Sequence, residues 1–483
     1  MIAMTLAEVA AVTGGRLHRA TGDEQVASVE FDSRKAAPGV LFLALPGERV
    51  DGHSFAAAAV ASGAAGVLAA REVEAPSVVV PPAAGAAGTY LAENDPDGAG
   101  AAVLAALAKL ARHSVDSLSV DSLEGLAVVG VTGSSGKTST KDLLAAVLAP
   151  LGPTVAPPGS FNNELGHPWT ALRADAGTRH LVLELSARGP GHIAALCRVA
   201  PPRIGVVLNV GRAHLGEFGS PEAIAQAKGE LVEALPADGV AVLNADDAAV
   251  AAMASRTAAR VVTVGRAAEA HVRAVDVTSD AGRARFRLVT PSGEADVALR
   301  LVGAHHVGNA LSAAAAALEL GATPAGVAES LSAAAPASRW RMEVADRADG
   351  VTVVNDAYNA NPESMRAALA ALADLGRGRR TWAVLGRMAE LGDTAAAAHA
   401  EVAGAAVELG VGTLVAVGEP GYGPAARHVT DPAAALALLR AQVAPGDVVL
   451  VKASRAVGLD RVADALLDDV PRDDRQENEL VSR

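Results

Sequence analysis

Gly130-Val131-Thr132-Gly133-Ser134-Ser135-Gly136-Lys137-Thr138-Ser139 is the stretch that decides how the rest of the chain is read. The apolar run before it, Leu126 to Val131, has the continuous character of a buried parallel strand. After it, Leu143, Leu144, Val147 and Leu148 fall on one stripe of a helix spanning Thr138 to Leu148. Strand, glycine turn and helix are the context of a phosphate-binding loop. The turn aims several backbone N–H groups at one anion, and the positive end of the helix adds to that field. Lys137 would reach the outer phosphates, and the Thr138 hydroxyl would hold a magnesium ion. Val131 stands where the common pattern has glycine, so this is the shorter Gly-x-x-Gly-Lys-Thr form.

Outward from the loop, strands and helices alternate. Leu181 to Leu185, Ile204 to Leu208, Val240 to Asn244 and Val261 to Val264 read as further parallel strands, covered on both faces. Arg273 to Leu299 alternates and turns at Pro291-Ser292-Gly293, which predicts an antiparallel hairpin at the sheet edge. The pattern restarts beyond Ala335-Pro336-Ala337-Ser338, the expected hinge, with strands at Val351 to Asn355, Thr381 to Leu385, Thr413 to Val417 and Asp447 to Lys452. These predict a doubly wound, Rossmann-like last domain.

Toward the N-terminus, Thr5-Leu6-Ala7-Glu8 is a capping box for a helix stopping at Gly14-Gly15. Strands at Val40 to Leu45, Gly66 to Leu68 and Ser77 to Val80, with a helix from Ser54 to Ser62, make a small α/β domain. The expected division is 1–95, 96–335 and 336–470, with a disordered tail over 471–483. A helix is expected over Ala99 to His113. The tandem pentad that follows, Ser114 to Leu118 and Ser119 to Leu123, is expected as an insertion in a surface loop.

Length fits about three domains. A net charge of −13 argues against a nucleic-acid partner and leaves anionic substrates to local clusters of cations. Aromatics are only 2% of residues, so the cores must be built from Val, Leu and Ala. The single cysteine, Cys197, excludes an internal disulfide and reads as a buried thiol. No secretory signal or membrane span is legible, so a soluble cytoplasmic protein is expected.

Ligands in α/β proteins sit at strand ends. There the sequence offers Glu184 in apolar company and His214 in the loop after the next strand. Lys228 lies on a helix begun by Ser220-Pro221. The plain alternative for Lys228 is an ammonium paired with Glu222 or Glu230 on a solvated face. In the last domain, Asn355-Asp356-Ala357-Tyr358-Asn359-Ala360-Asn361-Pro362 crowds hydrogen-bonding groups at one strand end, with Asn361 capping a helix. Arg339 and Arg341 sit at the domain joint, where one could reach a phosphate across the cleft.

Together Asp32-Ser33-Arg34, Pro38-Gly39, the phosphate loop, Asn209 to His214, Ala227-Lys228-Gly229-Glu230 and His305 to Asn309 resemble the Mur ligases, ATP-dependent amide-forming enzymes of peptidoglycan precursor synthesis. Asp356 to Pro362 and Leu385-Gly386-Arg387-Met388-Ala389-Glu390-Leu391-Gly392 resemble the branch that adds D-alanyl-D-alanine to UDP-MurNAc-tripeptide. The sister branch that adds the third amino acid typically carries Asp-Asn-Pro-Arg, which is absent here; a nucleotide-dependent switch is a rival of another class.

The resemblance implies a UDP-sugar domain, a central P-loop ATPase and a mobile Rossmann-like domain, acting without nucleic acid and as a monomer. It implies an ATP site at Gly133, Ser134, Ser135, Gly136, Lys137, Thr138, Ser139, Asn309, Arg339 and Asp356. It implies a magnesium shell of Thr138, Glu184, His214 and Lys228, the last as a carbamate. Lys137, Lys228, His214 and Arg339 would be catalytic. Asp32, Ser33, Arg34, Asn162, Asn163 and Asn359 would bind substrate. Lys452-Ala453-Ser454-Arg455 is similar to the family's closing segment. Arg387 and Leu185-Ser186-Ala187-Arg188 depart from the usual pattern.

Overall fold

The structure, a computed structural model, describes residues 1–47, 50–83, 91, 95–121, 125–211 and 218–468. Thr5 and Glu8 exchange side-chain and backbone hydrogen bonds, and this reciprocal cap starts the helix Leu6–Thr13. Five strands follow, ordered Arg16–His18, Ser77–Val79, Gly66–Ala69, Val40–Leu43 and Ser28–Glu30. All neighbours but the first pair are parallel. Arg16–His18 and Ser28–Glu30 escape a sequence reading because three residues are too few to register an alternation.

The central sheet has nine strands. In spatial order Thr154–Val155, His180–Glu184, Ala127–Thr132, Ile204–Val207, Val240–Asn244, Arg260–Gly265 and Val272–Asp280 run parallel. The hairpin expected beyond Arg273 is a three-stranded meander, because Arg283–Thr290 reverses against Val272–Asp280 before Gly293–Val302 reverses again. The additional turn lies at Ala281-Gly282, whose φ values of 47° and 73° give the left-handed pair that a two-residue hairpin requires. Alanine does not advertise that conformation, so the sequence hides the turn.

The tandem pentad is not a surface loop. One helix runs from Ala99 to Asp121 and takes up the first copy and most of the second, with residues 122–124 outside the described residues. Beyond Gly100, in its first turn, neither glycine nor proline interrupts it. Val115 and Leu118 continue the buried stripe of Leu107, Leu110 and Ala111. This helix centres a core common to two sheets: Leu107, Leu110 and Leu118 cluster with Leu41, Leu43 and Val78 on one side and Val128, Leu181 and Leu183 on the other.

The last sheet is ordered Glu343–Asp346, Thr352–Asn355, Val448–Lys452, Thr381–Leu385, Thr413–Val417 and Arg427–Val429. Only Glu343–Asp346 is antiparallel. Met365, Leu369 and Leu372 cover one face, and Leu439, Val462 and Leu466 cover the other, which makes the sheet doubly wound. Among the described residues Val302 is the one buried member of the central sheet in either core, and it lies in the first of them. The last domain therefore carries its own core, whereas the first two share one.

Cys197 is buried, and burial pushes its thiol up to about 12. No helix among the described residues is long and apolar enough to cross a membrane. The expected disordered tail lies outside the described residues.

Candidate active site

The strand Ala127–Thr132 runs into the glycine loop, and the helix Lys137–Leu148 leaves it. Gly136 caps that helix at φ 83°, and a Cβ there would lie 2.7 Å from Oδ1 of Asn309, so the close approach of Asn309 demands glycine. Asn209 accepts from the Ser135 N–H at 2.9 Å and donates to its carbonyl at 3.1 Å. The Gly211 N–H donates to the Ser134 hydroxyl at 2.8 Å. The loop is thus shaped by its neighbours in advance of any ligand. The Lys137 ammonium turns back to the Gly133 carbonyl at 2.6 Å. Burial lowers its pKa, and the carboxylate of Glu184 opposes that shift.

Glu184 ends the neighbouring strand and is fully buried. Its Oε2 accepts from Asn162 Nδ2 at 3.2 Å, while Oε1 has no partner among the described residues. A buried anionic oxygen without a donor is costly, and a cation relieves it. From Asn162 the contacts continue to the Ser160 hydroxyl at 3.3 Å and on to that of Thr138 at 3.4 Å. A hydroxyl and an orphaned carboxylate oxygen suit a hard cation such as magnesium. His214 lies outside the described residues. Ser160 was missed in the sequence, where a serine after Pro-Pro-Gly looks like any turn residue.

Lys228 does not lie on a solvated face. It sits on the helix Pro221–Glu233 and is 5% exposed, on the stripe that buries Ile224, Leu231 and Val232. No described residue gives it a hydrogen bond or ion pair. Glu230 is committed elsewhere, accepting from the Gly191 and Ala194 N–H groups at the start of the helix His192–Val199. Burial, reinforced by the charge of Lys137, pushes the Lys228 pKa down to about 7.

The last domain closes a cavity of about 330 Å³ over the loop. On that wall Lys452 donates to Asp356 Oδ2 at 2.6 Å and to the Asn359 carbonyl at 2.8 Å. The Met342 N–H donates to the other oxygen of Asp356 at 3.1 Å. Arg341 stacks on Tyr358, 4.0 Å from the ring centroid, and donates to Ser160 Oγ at 3.4 Å. Arg339 is not on this wall. Its side chain is 62% exposed and points to Glu343 and Asp464, at 3.9 and 3.6 Å. In an extended chain the two arginines would share a side, but Trp340 between them takes φ 58° and turns them apart.

Asn162, Asn309, Asp356 and Asn359 all line the cavity. Asn163 does not; its Oδ1 accepts from the Gly166 N–H at 2.9 Å in front of the helix Gly166–Ala171. Asp32, Ser33 and Arg34 form a separate turn. There Arg34 grips Asp32 through two 2.8 Å bonds, which lower the Asp32 pKa to about 2. Phe31 ties that turn to the site region by packing on Phe161 and Trp169. The helix Lys137–Leu148 also reaches the expected hinge: Asp142 accepts from the Ser338 N–H at 3.1 Å, and Lys141 donates to its hydroxyl at 3.3 Å.

Family models cover most of the chain. Residues 25–114 match the Mur ligase family, catalytic domain; 131–317 the Mur ligase middle domain; and 340–455 the Mur ligase, glutamate ligase domain. The chain belongs to the Mur ligase family. It is 55% identical to UDP-N-acetylmuramoyl-tripeptide–D-alanyl-D-alanine ligase of Mycobacterium tuberculosis, over 97% of this chain and 98% of that one. Identity to the Escherichia coli ligase of the same name is 34%, over 96% and 99%. Among solved structures, MurF of Acinetobacter baumannii superposes with a TM-score of 0.83 at 29% identity, covering 97% of this chain and 99% of that one. MurF of Thermotoga maritima in complex with ADP gives 0.76 at 29% identity, covering 92% and 98%.

Proposed function

We propose that this chain is an ATP-dependent ligase that joins D-alanyl-D-alanine to UDP-MurNAc-tripeptide, a step of peptidoglycan precursor synthesis carried out in the cytoplasm. The observation that carries this reading is the likeness, along nearly the whole chain, to relatives bearing that name. A carboxylate is a poor electrophile. Transfer of the γ-phosphoryl group of ATP makes it an acyl phosphate, the dipeptide amine attacks the carbonyl carbon, and phosphate leaves.

In this reading the N–H groups of 133–139 and the Lys137 ammonium hold the phosphates. Thr138, Glu184, His214 and a carbamate on Lys228 would hold magnesium, which supplies charge neutralisation when bound. Asn309 faces the base and Asp356 the ribose. Asp32, Ser33 and Arg34 receive the UDP end, Asn162 serves the tripeptide, and Asn359 serves the incoming dipeptide. We take 1–95, 96–335 and 336–470 as the working domains. The separate core of the last one suits a unit that closes to keep water from the acyl phosphate.

ADP release measured with each substrate withheld in turn tests the reaction. Sustained turnover is expected only when both the UDP-tripeptide and the dipeptide are present, with the pentapeptide product seen by mass. Equal turnover without either would point to a nucleotide switch.

The outer-phosphate role moves from Arg339 to Arg341, which lines the cavity. Arg341→Ala should lower kcat/KM for ATP by at least about tenfold, and Arg339→Ala by less than about threefold. Steady-state kinetics with ATP varied decide between them, and the opposite ranking would return the role to Arg339.

A further inference from the structure

Four lysine and arginine side chains line the cavity over the phosphate loop: Lys137, Arg188, Arg341 and Lys452. Three of them are engaged. Lys137 holds the Gly133 carbonyl, Lys452 holds Asp356, and Arg341 stacks on Tyr358 and reaches Ser160. The half-buried guanidinium of Arg188 has no hydrogen bond, ion pair or ring contact among the described residues. It offers the cavity a permanent charge and five N–H donors that nothing in the chain takes up.

The loop that presents it is held at both ends. It leaves the strand His180–Glu184, whose last residue carries the orphaned carboxylate oxygen. The Thr132 hydroxyl donates to the Leu185 carbonyl at 2.9 Å. The Ser186 N–H and hydroxyl both donate to the Asn162 carbonyl, at 3.1 and 2.9 Å. The Arg188 N–H donates to His192 Nδ1 at 3.3 Å, and Glu230 fixes the far end through the Gly191 and Ala194 N–H groups. A side chain rooted in a backbone fixed in this way loses less freedom on meeting its ligand.

A guanidinium matches a carboxylate or a phosphate through two parallel bonds. The phosphates already have the loop N–H groups, Lys137, and Arg341, whose charge is felt at Lys137. Arg188 instead shares its footing with Asn162, the residue that serves the tripeptide. The carboxylate that reacts belongs beside Lys137 and Glu184, so Arg188, four residues further along the chain, meets a different one. We propose that Arg188 binds a carboxylate on the side chain of the tripeptide's third residue and selects for a residue that carries one; this rests on the ligase reading above. Diaminopimelate has that group and lysine lacks it. The two side chains differ by one carboxylate, on the carbon that bears the terminal amine. Lysine would bring only its ammonium to the guanidinium, and like charges repel.

UDP-tripeptides ending in diaminopimelate and in lysine read this directly. The unaltered enzyme should favour the first by at least about tenfold in kcat/KM. Arg188→Met keeps the apolar stem and loses the charge. It should raise KM for the diaminopimelate tripeptide by at least about tenfold, with the lysine tripeptide and the ATP KM within about threefold of the unaltered enzyme. Arg188→Glu should invert the preference, which a merely structural role would not do. Equal losses on both tripeptides would place Arg188 on a carboxylate common to them and overturn the assignment. So would a rise confined to the ATP KM, unchanged kinetics in both variants, or an unaltered enzyme indifferent to the third residue. If the unaltered enzyme makes no pentapeptide from either tripeptide, the ligase reading fails and takes this inference with it.

Discussion

Lys137→Ala is expected to lower kcat by at least about a hundredfold, or ~2.7 kcal/mol of transition-state stabilisation, with a smaller change in the ATP KM. The loop's backbone N–H groups already bind phosphate in the ground state, and the substitution leaves them in place. What it removes is the ammonium group that meets the charge developing on the transferred phosphoryl group. That charge acts with unusual strength here, because the site is desolvated enough to lower the pKa of Lys137 itself. Its present partner, the Gly133 carbonyl, belongs to the loop and can be exchanged for a phosphate oxygen. The measurement is turnover at saturating ATP and both co-substrates. Near-normal kcat would mean that phosphoryl transfer takes place elsewhere.

The loop was legible because its physics is local: a continuous apolar strand, glycines, and a helix stripe within about twenty residues. The same holds for Thr381–Leu385 and Thr413–Val417, whose apolar runs end where the strands do. Legibility fails where the deciding term is distant or conformational. The pentad after His113 looks like an insertion until Val115 and Leu118 are seen to have a core to enter. Arg339 and Arg341 cannot be ranked from sequence, since the choice rests on the sign of φ at Trp340. The two substrate-loop asparagines divide for a similar reason, one facing Glu184 and the other accepting from the Gly166 N–H ahead of a helix. Burial of Lys228 was in principle readable, because Ile224, Leu231 and Val232 place its position on the inward stripe. The habit of setting lysine in solvent hides it.

Lys228→Ala is expected to abolish most ligase activity, and a short carboxylic acid added to the assay should restore part of it. The argument starts from the buried amine. A lysine with its ordinary pKa of about 10.4 is neutral in only ~0.04% of molecules at pH 7. With the pKa pushed down to about 7 by burial and Lys137, roughly half are neutral. Carbon dioxide adds only to the neutral amine, giving a carbamate and releasing one proton, so this position favours the modification by about three orders of magnitude over a surface lysine. The product replaces a desolvated cation that repels Lys137 with an anion that attracts it, and it offers oxygen ligands to a divalent ion. The sign of the pH dependence follows. Raising pH through about 7 increases the neutral fraction and should increase bicarbonate-dependent activity, whereas lowering it should deplete the carbamate first. Enzyme stripped of bicarbonate should be slower and recover on its return, and carbon-13 bicarbonate should give a carbamate resonance that Lys228→Ala lacks. If Lys228→Ala keeps kcat/KM within about tenfold of the unaltered enzyme, a barrier change of only ~1.4 kcal/mol, the buried lysine is a packing feature and the carbamate reading is wrong.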